Sequence, residues 1–245
     1  MTNKYKILLC GEIGHNWQDF DEIKELIGYI KRAGWDCAKF QLYDIDKIKK
    51  PGDTNYEELK IKQLSFSQMW VLKKWCDKAG VEFMCSVFDT ERLGWYLETG
   101  PKWIKLAQRS SSDLKLLDKC LEFNLPIIAS IDPENPVYCN YDEVVPGIDI
   151  FYLFCLSRRQ ILRKGIEWFP ERFDCNRGYA GFSDHTIGNK YVYMAINSGA
   201  TIIEKHITKD KNYPGWDQPA SADLNDMMEI AQLARWREHQ KEIGR

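Results

Sequence analysis

The chain has no C-x-x-C pair, no glycine-rich phosphate motif and no apolar run long enough to cross a membrane. Each absence excludes a class of protein. Without C-x-x-C, the eight cysteines make neither a zinc ribbon nor a thioredoxin-type site. Neither G-x-G-x-x-G nor G-x-x-x-x-G-K-[ST] occurs, which removes the usual nucleotide signatures of a doubly wound sheet. No stretch approaches the roughly 18–20 apolar residues of a spanning helix, and the opening MTNKYKILLCGEIGHNW is too weakly apolar for a signal peptide. A formal net charge of −2 gives no reason to expect nucleic acid or an anionic membrane as partner. No Pro/Ser/Gly linker divides the chain. The expectation is one cytoplasmic globular domain over residues 1–245, handling small molecules, with reduced cysteines packed as small hydrophobes.

What is present is a repeated alternation. Short apolar runs recur at KILLC (6–10), CAKFQ (37–41), EFMCS (82–86), WIKLA (103–107), PIIAS (126–130), DIFYLFC (149–155), GYAGF (178–182) and TIIEK (201–205). They read as parallel strands buried on both faces. Between them lie segments of helical period at 20–32, 67–78, 112–123, 189–198 and 224–237, with Gly34 and Gly80 as stops after the first two. The stretch 131–148 shows little periodicity and reads as an irregular connection. Eight β–α units in 245 residues, roughly 31 residues each, predict a closed (β/α)₈ TIM barrel of the α/β class. A doubly wound open sheet is the rival.

In such a barrel the chemistry sits past the C-terminal ends of the strands. The predicted ends carry Glu12, Lys39, Gln41, Ser86, Lys105, Ser130, Ser157, Ser183 and the His185 and His206 pair. Repeated ionisable residues at one end of apolar strands point to a shared polar mouth, because scattered through a core they would be costly. Each also has a plainer explanation. A serine after a strand is usually a helix cap, and a lysine can extend to solvent. Two inward lysines with hydroxyls would suit a phosphate and a carboxylate. His185 and His206 end adjacent strands, and two imidazoles beside acidic groups suit Mn²⁺, Fe²⁺ or Zn²⁺. A hydrogen-bonded histidine pair without metal remains the alternative. His15 lies in the first loop, near the mouth.

The segments GEIGHN (11–16), AKFQ (38–41), IKLA (104–107), GFSDHTIG (181–188), IIEKHIT (202–208) and GWDQPAS (215–221) together resemble the N-acetylneuraminate (sialic acid) synthase family. The likeness runs in order from about residue 6 to 225. It implies a metal-dependent (β/α)₈ catalytic barrel that condenses phosphoenolpyruvate with an amino-sugar aldehyde. The products would be a 2-keto-3-deoxy sugar acid and phosphate. By this resemblance His185 and His206 hold the divalent metal, Mn²⁺ first, with Mg²⁺, Fe²⁺ or Zn²⁺ as alternatives. Lys39, Ser86, Lys105, Ser130, Ser157 and Ser183 fall at phosphoenolpyruvate-binding positions. Glu12 and Asp217 match the acidic residues at the reacting centre, and Asn16, Gln41 and Asp217 fall on the sugar side.

The departures from the family pattern are local. After E-I-G the usual N-H-N-G reads Asn16-Trp17-Gln18-Asp19, and K-I-[AG]-S-x-[ED] reads Lys105-Leu106-Ala107-Gln108-Arg109-Ser110. The S-T-G-M pattern reads Ser130-Ile131-Asp132-Pro133, and H-C reads Phe154-Cys155. The likeness covers the catalytic barrel but not the small antifreeze-like domain that usually follows it. A homodimer, or a separate antifreeze-like partner, is therefore the expected association. The alternatives to the synthase are a divergent metal- and phosphate-binding barrel with another reaction, and a non-catalytic paralogue.

Overall fold

A computed structural model describes residues 6–134, 148–175 and 178–244. Eight parallel strands close on themselves in sequence order, so the (β/α)₈ barrel is the observed fold and the open sheet is excluded. The strands are β1 (Leu8–Glu12), β2 (Cys37–Leu42), β3 (Glu82–Val87), β4 (Ile104–Leu106), β5 (Ile127–Ile131), β6 (Ile150–Cys155), β7 (Gly181–Asp184) and β8 (Ile202–His206). The helices are α1 (Glu22–Arg32), α2 (Ile45–Ile48), α3 (Tyr56–Lys62), α4 (Phe66–Ala79), α5 (Thr90–Leu97), α6 (Leu114–Leu121), α7 (Arg158–Lys164), α8 (Lys190–Asn197) and α9 (Leu224–Glu242). Most of the irregular connection expected over 131–148 lies outside the described residues. Among those residues no helix is long and apolar enough to cross a membrane.

Local chemistry sets the helix ends. Ser65 and Gln68 form a reciprocal capping box at the start of α4, and Gly80 ends it at φ 65°. Asp113 accepts from the Lys115 and Leu116 amides to open α6. One strand contact depends on glycine in another way. A Cβ at Gly181 would sit 2.0 Å from the Ile202 carbonyl oxygen, so β7 and β8 can approach here only because the side chain is missing.

The two-residue period of a strand decides what fills the barrel. Leu9, Ala38, Phe40, Phe83, Cys85, Ile104, Phe154, Phe182 and Ile203 point outward into the core shared with the helices. A smaller cluster of Cys10, Cys37, Met84, Ile128, Leu153 and Ile202 fills the lower interior. The next inward positions are polar. On β8, Ile202 belongs to the lower cluster, while Glu204 and His206 rise into the upper interior. Lys205, between them, faces the other way and pairs with Asp184 at 2.5 Å behind the sheet, both essentially fully buried. Its ammonium also donates to the Thr186 carbonyl, which leaves this lysine holding β7 to β8 and not in the mouth.

Three strands run on into polar residues that the apolar pattern leaves out, and one is shorter than it indicates. β1 continues to Glu12, β7 to Asp184 and β8 to His206, and β4 is trimmed to three residues. Polar side chains resembled loop there because they point into the barrel interior or, for Asp184, into a buried ion pair. The cysteines among the described residues are free, as expected, and all but Cys175 are buried.

Candidate active site

Parallel pairing in register brings the polar positions side by side. Glu12 lies opposite Lys39 on one side and His206 on the other, Ser86 opposite Lys105, and Ser183 opposite Glu204. The side chains then form a connected lattice across the interior. The Lys39 ammonium is 2.6 Å from Glu12 Oε2 and 3.6 Å from Glu204 Oε1, and it donates to Ser86 Oγ at 2.9 Å. Lys105 donates to Ser130 Oγ and to its neighbour's carbonyl, both at 2.8 Å, and lies 3.6 Å from Glu204 Oε2. Ser183 donates to Glu204 at 2.9 Å, and Gln41 donates to Glu12 at 2.7 Å.

Glu204 bridges both lysines, a role that the sequence reading did not assign to it. Two mid-strand lysines with no assigned counter-charge were the available signal. Burial opposes its charge, but Lys105 and Lys39 overcome that and hold its carboxyl at about 2. Burial likewise works against the Lys39 charge, and Glu12 with Glu204 reverses the balance, raising its pKa above the usual lysine value. For Lys105 burial prevails over Glu204, and its pKa is lowered. Gly14 belongs to this arrangement too. It takes φ 49°, and a Cβ there would come within 2.8 Å of Glu12 Oε1.

Above the lattice stand the imidazoles. The rings of His185 and His206 are 5.2 Å apart. Burial and then His206 push His185 down to about 4. His206 Nδ1 is buried with no hydrogen-bond partner, and its Nε2 lies 3.8 Å from Asp217 Oδ2. Asp217 sits on the loop before a 3₁₀ turn at Gln218–Ala220. Cys155 Sγ is 3.8 Å from His185 Nδ1, so the strand-end cysteine reaches the site. His15 joins the mouth, with Nε2 buried and unpartnered and a pKa lowered by burial to about 4. Among the described residues no set of three or more His, Cys, Asp or Glu side chains is arranged to enclose a metal ion.

A cavity of about 660 Å³ opens at this end of the barrel. Glu12, Asn16, Lys39, Gln41, Ser130, Ser157, Ser183, His185, His206 and Asp217 all reach it, so the sequence brings these candidates to one place. Ser86 and Lys105 do not line it. They lie one layer down, bonded to Lys39 and Ser130. Two of the lining residues also have structural partners. Asn16 donates to the Ile207 carbonyl at 3.0 Å and to Ser221 Oγ at 2.7 Å, fastening the first loop to the last. Ser157 caps α7 in a reciprocal box with Gln160.

The comparisons follow this geometry. The chain matches the model of the NeuB family over residues 26–132 and 158–244. It is 28% identical over 255 residues to an N,N'-diacetyllegionaminic acid synthase of Legionella pneumophila, covering 91% of this chain and 69% of that protein. It is 25% identical over 262 residues to the N-acetylneuraminate-9-phosphate synthase of Homo sapiens, covering 95% of this chain and 70% of that protein. An N-acetylneuraminic acid synthetase structure from Leptospira borgpetersenii, solved with citrate, superposes at a TM-score of 0.78 with 23% identity. That likeness covers 98% of this chain and 86% of the other, and supports the fold. With its barrel closed and the matched segments lining one mouth, this chain belongs to the NeuB family.

Proposed function

We propose that the barrel condenses phosphoenolpyruvate with an amino-sugar aldehyde, giving a 2-keto-3-deoxy sugar acid and inorganic phosphate. The relatives named above are sugar acid synthases, and the site has the groups such chemistry needs. The observation that carries the reading is the placement of the His185 and His206 pair with Glu12, Lys39 and Glu204 in one cavity, with Lys105 bound to Glu204 from the layer below.

The reaction joins C3 of phosphoenolpyruvate to the aldehyde carbon, whose oxygen takes up a proton. Water adds to C2, and cleavage of the bond from C2 to the phosphate oxygen releases phosphate and leaves the ketone. Ser130, Ser183 and Lys39 offer donors to the enol acid, while the layer below keeps them in place. Glu12 orients the attacking water and accepts its proton. Asp217 positions sugar hydroxyls with Asn16 and Gln41. The imidazole pair, His185 with its pKa lowered by burial and His206 with a buried unpartnered Nδ1, would suit a divalent cation such as Mn²⁺. Such an ion, when bound, polarises the sugar carbonyl.

The test is phosphate release from phosphoenolpyruvate with Mn²⁺ and a panel of 2-acetamido sugars. Sugar-dependent release is expected, and none with any aldose would overturn the reading. Metal content of the wild type against His185→Ala and His206→Ala tests the histidines separately. Equal content in all three would remove them as ligands.

A further inference from the structure

The deep lattice is already neutral. Lys39 and Lys105 stand among Glu12 and Glu204, two cations against two carboxylates. An incoming phosphate monoester therefore meets little net positive charge from the lysines. The uncompensated charge lies at the rim. Arg109, Arg158 and Arg159 all line the cavity; none of them is within ion-pair distance of a carboxylate among the described residues, though Arg158 lies near enough to Asp217 to help lower its pKa. Lys49, also at the rim, is spent on the Thr54 carbonyl.

The three arginines share one side of the mouth. Arg109 follows β4, and Arg158 and Arg159 follow β6. The side chain of Gln108 ties the two loops together, donating to the Cys155 carbonyl at 3.0 Å and to Gln160 Oε1 at 3.3 Å. Asp132, the carboxylate next to this junction, is held instead by the Gln160 amide, with both oxygens 3.0 Å from Nε2. Arg158 lies over the Trp216 ring at 5.4 Å and donates to the Trp216 carbonyl, which orients its fork along the cavity wall. Arg109 and Arg159 are exposed at the rim.

We infer that Arg109, Arg158 and Arg159 form a phosphoryl-binding subsite at the β4 and β6 side of the mouth, which takes the phosphate monoester of a substrate. Guanidinium forks not already paired with a carboxylate, as at Arg109 and Arg159, bind a phosphate dianion through paired charge-assisted hydrogen bonds. The inference deepens the proposed condensation by naming the charge that anchors its phosphorylated partner. The monoester is either that of phosphoenolpyruvate or that of a phosphorylated acceptor sugar.

Calorimetric binding, which needs no turnover, tests the site and keeps its failure distinct from failure of the proposed reaction. The probes are phosphoenolpyruvate, mannose 6-phosphate and unphosphorylated mannose. Wild-type protein is expected to bind at least one phosphate ester more tightly than mannose. Arg109→Gln and Arg159→Gln should each weaken that ester by about tenfold, while Arg159→Lys keeps most of the affinity. Loss for phosphoenolpyruvate alone places its phosphate here, and loss for mannose 6-phosphate alone places the acceptor's. Lys211→Gln, outside the cavity and paired with Asp223 and Asp226, controls for general charge loss. The inference is overturned if neither ester binds the wild type, or if the arginine variants stay within about twofold of it. An equal weakening by Lys211→Gln would overturn it too.

Discussion

The lower and upper halves of the barrel interior are built on the same strands, two residues apart, and are chemically opposite. Below, Cys10, Cys37, Met84, Ile128, Leu153 and Ile202 fill the space by shape alone. Above, Glu12, Lys39, Lys105 and Glu204 fill it with charge, no less buried. Apolar packing tolerates the loss of a neighbour as a cavity. A buried lattice of ions does not, because each charge depends on its partner for the solvation it has given up. The lower layer therefore supports the fold whatever the reaction, while the upper layer is stable only as a set and holds its donors in fixed positions.

The comparison is broken most sharply at Glu204. Glu204→Gln removes the carboxylate shared by both lysines while keeping its shape, and should cost about 3–5 kcal/mol, the range for breaking a buried ion pair. Urea denaturation followed by both fluorescence and circular dichroism measures it. A loss below about 1 kcal/mol would mean that the lysines find other partners. In the lower layer, Leu153→Ala should cost about 2–5 kcal/mol through its cavity. The same variant should leave phosphoenolpyruvate affinity unchanged, since the Leu153 side chain packs within the lower apolar cluster. A matching loss of affinity would show that the two layers are not separable.

Acid separates the layers as well. Glu204 is held at about 2, below its unfolded value, so its contribution is present above that unfolded value and is lost as pH falls through about 2. His185 and His15, each held at about 4, favour the folded state only while neutral. Their contribution is present above the unfolded histidine value of about 6.5 and disappears as pH falls toward 4. Metal-chelated protein should therefore lose stability in two stages. His185→Gln should roughly halve the first stage, because His15 remains. An unchanged profile from pH 6.5 to 4 in that variant would mean that His185 is not held neutral in the folded protein.

Much of this arrangement could be read from the residues. The strands were visible because burial on both faces leaves unbroken apolar runs. The polar mouth was visible because Lys39 and Lys105 stand where a parallel strand should carry hydrophobes. Short helices were harder to see. The four residues of α2 are too few to show a period, and α5 buries Arg92 beside Leu93 and Tyr96, which blurs its apolar face. Lys205 stands between two mouth residues in the sequence, and only its buried pairing with Asp184 shows that it faces the outer side of the sheet. Arg158 and Arg159 carried no periodic signal, and their place at the rim depends on how the β6 loop folds back against Gln108.

The smallest expected effect concerns Ser157, where the resemblance gives a ligand contact and the structure gives a helix cap. Its hydroxyl accepts from the Gln160 amide while the Gln160 side chain accepts from the Ser157 amide, a complete capping box. Loss of such a cap costs about 1 kcal/mol. Ser157→Ala should therefore lower stability by about that amount, with little change in phosphoenolpyruvate affinity, and Ser157→Asp should restore the cap. Asp at this position places a negative charge at the cavity wall beside Arg158 and Arg159. If the arginines anchor a phosphate, Ser157→Asp recovers stability while weakening the phosphate ester, and the two readouts move in opposite directions. If Ser157→Asp restores stability and leaves the affinity for the phosphate ester unchanged, the rim carries no anion site and Ser157 is a cap only. If Ser157→Ala itself abolishes binding, the hydroxyl contacts the ligand directly, and the upper layer extends one residue beyond the lattice.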